Sequence, residues 1–222
     1  MRRVFPVLVV ASSVGVLIAP NGAVGRVACG SPAAPTVVQG RDSRVYKRKV
    51  RNGTRPFQLF ACTRGAAPTS LDDPRDNAYA FGAPAIAVTG PLVGYAQTSL
   101  DDEGTDFETA VLVVDLRHPD EPKRFAPASR ASPAAKVGSL VMSQAGAIAW
   151  IACPETDSPA VGSRSPTCIR PGASDRVYRL NSNDKRAALL DKGRSIDPAS
   201  LSIRGSRVRW SSHGNRQSAQ LK

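Results

Sequence analysis

The sequence predicts an all-β protein of repeated antiparallel β-meanders, and three observations carry that prediction. Apolar residues come in short runs, often alternating and rich in β-branched side chains, bounded by Gly, Pro, Asn and Asp. That is how strands and their turns read in a sequence. Among 222 residues, 18 Gly and 18 Pro leave few uninterrupted stretches for long helices. A strand-turn-strand pattern ending in a large aromatic also recurs along the chain. With 41% hydrophobic residues spread evenly, the chain is too apolar to be disordered, and helical bundles, coiled coils and multispan membrane architectures are excluded.

The first 25 residues read as a secretory signal rather than as fold. Met1-Arg2-Arg3 is a cationic start, and Val4 to Ala19 is apolar apart from Pro6, Ser12, Ser13 and Gly15. The small-x-small pattern Ala23-Val24-Gly25 places a cleavage site before Arg26. An uncleaved anchor is the rival reading, but the run falls short of the roughly 20 apolar residues that span a bilayer. Arg2-Arg3 also suits the twin-arginine route; the apolar run begins at once, which favours the general secretory path. The expectation is a mature domain over residues 26–222, secreted or held in the cell envelope, with no transmembrane span after cleavage.

Cysteine usage agrees with export. Cys29, Cys62, Cys153 and Cys168 are even in number, include no C-x-x-C pair and have no His at metal-ligand spacing, so two disulfides are favoured over a zinc site. Three pairings exist. Cys29 with Cys62 and Cys153 with Cys168 is preferred, because the second pair brackets a Pro/Ser/Gly-rich insertion that nothing else holds. Val27-Ala28-Cys29 resembles the end of a lipoprotein box, but Arg26 stands where that box has an aliphatic residue, and lipidation would leave Cys62 unpaired.

Within the mature chain, Arg44 to Val50 and Pro56 to Cys62 flank Arg51-Asn52-Gly53-Thr54, where Asn-Gly predicts a hairpin turn. The repeat begins after it. Ile86-x-Val88, Gly90 and Val93-x-Tyr95 match Leu140-x-Met142, Gly146 and Ile148-x-Trp150, and again Leu201-x-Ile203, Gly205 and Val208-x-Trp210. The first apolar residue and the aromatic lie 9, 10 and 9 positions apart, so the register hardly drifts. A third strand follows in each unit, at Ala110 to Leu116, Arg176 to Leu180 and Gln217 to Leu221. A fourth is expected at Lys123 to Ala126 and Arg186 to Leu190. The N-terminal segment reads as a displaced unit, since Phe57 to Cys62 parallels Ile148 to Cys153 and Arg44-Val45-Tyr46 echoes Arg176-Val177-Tyr178. Tyr95, Trp150 and Trp210 are expected in the core, packed between stacked sheets.

A Gly-turn-aromatic strand pair followed by strands such as Ala110 to Leu116 and Arg176 to Leu180 resembles the WD40-like and TolB-like β-propeller repeats of secreted bacterial proteins. The resemblance covers roughly residues 40 to 222 and implies a propeller-like arrangement of about four units. Closed propellers of that family more often have six to eight, so an open stack or a swapped dimer stays open beside a small closed ring.

Chemistry-bearing residues are sparse. Asp101-Asp102-Glu103-Gly104-Thr105-Asp106-Phe107-Glu108 is the densest acidic run. Asp101, Asp102 and Asp106 are candidate calcium ligands, although the spacing is not that of an EF-hand and a solvated hairpin tip is the plainer reading. The same acids support an alternative function, a carboxylate-dependent hydrolase or lyase, with or without calcium, using the segment near residues 101–108. His118 and His213 both sit in turn sequences. No G-x-S-x-G elbow, phosphate-binding loop or dinucleotide fingerprint is present. No cofactor is expected apart from that calcium.

Charge is unevenly placed. Arg26 to Arg64 carries +8, Gly65 to Pro122 −9 and Lys123 to Lys222 +11, and 23 of the 30 basic residues are Arg. Arg44, Lys47 and Arg48, in the cluster from residue 41 to 51, are candidate anion-binding residues, and residues 204 to 216 form a second positive segment. Outside a bacterial cell the abundant polyanions are envelope polymers and anionic lipids. Nucleic acid is not expected, because only Tyr46 interleaves the charges with an aromatic. The reading is a noncatalytic binding or scaffolding protein whose partner is another protein or an anionic envelope polymer.

Overall fold

Four antiparallel meanders follow one another along the chain. The computed structural model describes residues 29, 33–49, 57–71, 85–100, 107–120, 124–132, 135–153 and 175–222, without the side chains of Leu100 and Phe107. The first sheet holds β1 (Thr36–Gln39), β2 (Ser43–Lys49), β3 (Phe57–Thr63) and β4 (Thr69–Ser70), hydrogen-bonded in that order. The second holds β5 (Ile86–Thr89), β6 (Leu92–Leu100), β7 (Phe107–Asp115) and β8 (Arg124–Pro127). The third is β9 (Lys136–Met142), β10 (Ile148–Cys153), β11 (Asp175–Leu180) and β12 (Ala188–Gly193); the fourth has three strands, β13 (Ser202–Arg204), β14 (Arg207–Ser212) and β15 (Asn215–Gln220). Among the described residues the helical element is one 3-10 turn, Pro198–Ser200, and no helix is long and apolar enough to cross a membrane.

Why the repeat pattern folds this way is visible in its register. Ile86 stands opposite Tyr95 and Leu140 opposite Trp150; Leu201 and Trp210 fall in the same relation one step beyond the Ser202–Arg209 pair. Between them Gly90, Gly146 and Gly205 adopt φ of 53°, 81° and 60°. A Cβ strains that left-handed backbone, so the turn joining first and second strands calls for glycine.

Three apolar layers separate the four sheets. Val45, Leu59 and Leu71 meet Val93, Tyr95 and Val114 between the first and second sheets. Val111, Val113 and Ala126 meet Leu140, Ile148 and Trp150 between the second and third. Ala149, Ile151 and Val177 meet Leu201, Val208 and Trp210 between the third and fourth. Tyr95, Trp150 and Trp210 are buried at 0%, 0% and 5% exposure, each facing the preceding sheet. The Ile148 side chain packs so closely on the Gly94 backbone that a Cβ there would lie 2.6 Å from Ile148 Cδ1. Contacts between first strands run from β1 to β5, β5 to β9 and β9 to β13, and among the described residues no substantial contact returns from β13 to β1.

Polar links repeat along with the apolar layers. Trp150 Nε1 donates to Ala128 O at 2.8 Å, after the last strand of the preceding sheet, and Trp210 Nε1 donates to Asp191 at 2.7 Å, on the last strand of its own preceding sheet. Each buried indole therefore finds the partner it needs. Arg124 on β8 donates to the carbonyls of Gly146, Ser182 and Asn181, at 2.6, 3.0 and 3.3 Å, and so joins the second sheet to two turns of the third. Burial lowers its pKa from the usual arginine value. Arg179 Nη1 ties the third sheet to the fourth through Gln220 O, 2.6 Å away.

The N-terminal unit corrects the sequence reading. It is a complete four-stranded meander, not a displaced one. Tyr46 lies on its second strand, opposite Thr36, where Tyr95 and Trp150 lie in theirs, and Phe57 to Cys62 forms the third strand. The sequence exchanges the second and third strands because β1 carries no apolar mark: its residue opposite the aromatic is Thr, and its register shifts between Thr36 and Val38. Predicted strand ends elsewhere move by a few residues. The fourth strand of the third sheet, for example, starts at Ala188 rather than Arg186.

Candidate functional site

Among the described residues, two faces of the stack meet no neighbouring sheet: the outer face of the first sheet and that of the fourth. On the first sheet, strand alternation sends Val45 toward the second sheet and Arg44, Tyr46 and Arg48 to the outer face. Tyr46 stacks on Phe60 with 5.9 Å between ring centroids. The Arg44 guanidinium lies 5.1 Å from the Tyr46 ring centre and that of Arg48 lies 5.6 Å from the Phe60 ring centre. Cation-π contacts of this kind attract a guanidinium to an aromatic face.

That face is covered by the chain itself. Cys29 is joined to Cys62 in a disulfide. Arg44 donates to Thr36 Oγ1 at 2.8 Å, to Cys29 O at 3.2 Å and to Ala34 O, and Lys47 N donates to Pro35 O at 2.9 Å. Arg44 is consequently 7% exposed. Of the expected anion-binding residues, then, Arg44 turns inward, Arg48 stays exposed on the same outer face, and Lys47 alternates to the opposite face. The structure does not bring the three together.

The fourth sheet ends the stack differently. Ile203, Val208, Trp210 and Ala219 pack toward the third sheet, so the alternate residues point away from it. On β13 these are Ser202 and Arg204. Cross-strand pairing sets Arg204 opposite Arg207, Arg207 opposite Gln220, Arg209 opposite Ser218, and Ser211 opposite Arg216. Every outward residue on the three strands is Arg, Ser or Gln, and all are exposed or half-exposed. No ion pair engages Arg204, Arg207, Arg209 or Arg216 among the described residues. Sequence reading found this segment positive but could not say which of its arginines share a face; the register does.

Other expected residues fall as follows. Asp101, Asp102 and Asp106 lie outside the described residues, as do the Asn52-Gly53 turn and the signal segment. Cys153 is disulfide-bonded, and Cys168, its expected partner, lies outside the described residues. Among the described residues, no three His, Cys, Asp or Glu side chains gather to hold a metal. Asp115 forms a bidentate pair with Arg117, with Nε 3.0 Å and Nη2 2.5 Å from its two oxygens, and the Arg117 hydrogen bond holds its carboxyl below the usual carboxylate range. His213, at φ 53°, sits in the exposed β14–β15 turn with Ser212 Oγ 3.2 Å from Nδ1. Asp175, on the strand face that carries Val177 toward the fourth sheet, is pushed up to about 6 by burial.

The fold places the chain in a class: an all-β, propeller-like stack of antiparallel meanders with a closed-off first face and a cationic last one. No family model and no curated protein matches it. Among solved structures it is similar to the β-propeller domain of the Trilobed protease from Pyrococcus furiosus, described as having an open velcro topology. The identity is 13% and the TM-score 0.38, over 59% of this chain and 34% of that one. The chain thus spans about a third of the length of the chain it matches.

Proposed function

We propose that this protein is an exported, noncatalytic binding or scaffolding module whose fourth sheet holds an anionic polymer of the cell envelope or extracellular space. The observation that carries the reading is the outward face of β13, β14 and β15, with four arginines, interleaved Ser and Gln, and neither an acidic nor an apolar residue. Arginine suits this task because its planar fork can grip phosphate or carboxylate oxygens bidentately, while serine and glutamine add neutral donors. Export is supported by the signal-like N-terminus and by the Cys29–Cys62 disulfide, since such bonds persist in oxidising compartments.

Titration of the full mature chain with long-chain inorganic polyphosphate tests it. Binding should weaken with salt, with a log–log slope of about −3 if four phosphates are contacted at roughly 0.7 each, as for single strands. Replacing Arg204, Arg207, Arg209 and Arg216 together by Gln should abolish it. Affinity unchanged by the quadruple substitution, or unchanged in about 0.5 M salt, where the Debye length is far below its low-salt value, would overturn the reading.

A further inference from the structure

The third sheet carries a cleft that the fourth-sheet face does not involve. Its volume is about 290 Å³, and Arg130, Arg176, Lys192, Tyr178 and Leu189 line it. Register explains four of the five. Arg176 stands opposite Lys192 and Tyr178 opposite Leu189, so β11 and β12 present all four on the face turned toward the second sheet. Arg130 enters from the segment after β8, where its Nη2 donates to Ala187 O at 3.0 Å.

Three features distinguish this cleft from a solvated surface. Like charges directly opposite across two strands repel, and Arg130, Arg176 and Lys192 have no ion-pair partner among the described residues. The guanidiniums are also held in place. Arg130 is fixed by Ala187 O, and Arg176 Nη1 lies 3.5 Å from Ser129 Oγ, which is 3.3 Å from the Tyr178 hydroxyl. Each uses one of its five N–H donors and keeps the others. Lastly, the floor is rigid and the rim apolar. Tyr178 stacks on fully buried Trp150 at 5.6 Å between centroids, Trp150 is anchored to Ala128 O, and Leu189 is 49% exposed.

We propose that this cleft binds a phosphomonoester carrying a small apolar group. Three cations around one concavity match a tetrahedral dianion with three terminal oxygens, whereas a monocarboxylate would leave two of them uncompensated. Arginine pairs favour oxyanions of that shape. The exposed Leu189 rim and the Tyr178 floor supply the apolar contact that a bare phosphate cannot use. The volume of about 290 Å³ falls just below the usual range for drug-sized ligand sites, about 300 to 1,000 Å³, as suits a small ester. A soluble ester and the headgroup of a lipid offer the same chemistry.

Calorimetric titration of the full mature chain with phenyl phosphate and with inorganic phosphate is the test. Phenyl phosphate should bind at least tenfold tighter. Lys192→Met and Arg176→Met should each weaken both probes tenfold or more; Lys192 is exposed and its replacement leaves the fold intact, so failure to fold at Arg176 would not mask the result. Leu189→Ser should weaken phenyl phosphate several-fold and leave inorganic phosphate unchanged. The quadruple fourth-sheet variant should bind phenyl phosphate normally, which separates this site from the polymer-binding face. Competition by phosphatidic acid vesicles assigns the site to a lipid headgroup and its absence to a soluble ester, and either keeps the chemistry. Equal affinity for the two phosphates, or affinity insensitive to both cation replacements, would overturn the proposal.

Discussion

The first and fourth sheets meet the same problem with opposite chemistry. Both lie at an end of the stack, and both keep the repeated aromatic on the second strand: Tyr46 in the first, Trp210 in the fourth. Each aromatic faces toward the start of the stack. Trp210 therefore has the third sheet to pack on, whereas among the described residues no sheet precedes Tyr46. The first sheet covers Tyr46 with its own upstream chain, held by the Cys29–Cys62 bond and by Arg44. The fourth needs no cover, because the face it turns outward is wholly polar. A repeat unit with no sheet packed on its outer face needs that face polar or covered; among the described residues the fourth sheet's is polar by composition and the first sheet's is closed by a strap.

The largest expected effect follows from the strap. Replacing Cys29 and Cys62 with Ser opens a loop whose ends are 33 residues apart in sequence. On the chain-entropy model this costs about 3 to 4 kcal/mol. Chemical denaturation should show the loss, and an unchanged midpoint would mean that the strap contributes nothing to the first face.

A smaller effect sharpens the account of how the fourth sheet docks. Asp175 faces that contact, and burial raises its carboxyl to about 6 from the ordinary 3.8. Between those values the folded protein holds more protons than the unfolded chain, so stability contributed here falls as pH rises from about 4 to 6. Asp175→Asn should consequently stabilise the protein at pH 7 by about 1 to 2 kcal/mol, less than the full linkage value because water still reaches part of the carboxyl. The gain should vanish near pH 3.5. Thermal melts of both proteins across pH 3.5 to 7.5 read this directly, and a gain independent of pH would remove the burial argument.

The smallest effect on stability belongs to the outward arginines. Each of Arg204, Arg207, Arg209 and Arg216 is a surface substitution worth no more than about 0.5 kcal/mol when changed to Gln. Thermal unfolding of the quadruple variant should stay close to that of the parent even though its polymer binding is lost. A large fall in midpoint would mark these residues as part of the packing.

Much of the fold was legible because its signal is local. A glycine at positive φ between two short apolar strands, with an aromatic near the end of the second, lies within about ten residues and survives three times. What escaped was relational. Tyr46 was misplaced because Thr36, unlike Ile86 and Leu140, gives no apolar mark opposite the aromatic. Nothing in the sequence singles out Arg124, since the carbonyls that hold it come from Gly146, Asn181 and Ser182 on another sheet. The cleft on the third sheet was invisible for the same reason: Arg130, Arg176 and Lys192 become neighbours only through strand register and sheet packing. Arg44 illustrates the converse, a residue in a conspicuous basic cluster whose guanidinium the fold uses internally.

Hydrogen exchange of the full mature chain, with and without polyphosphate, tests the contrast between the two ends most directly. The account predicts added protection across residues 202–220 when the polymer is present, no change across 36–49, and loss of the added protection in the quadruple arginine variant. Protection appearing over the first sheet instead, or persisting over the fourth without those four arginines, would contradict it.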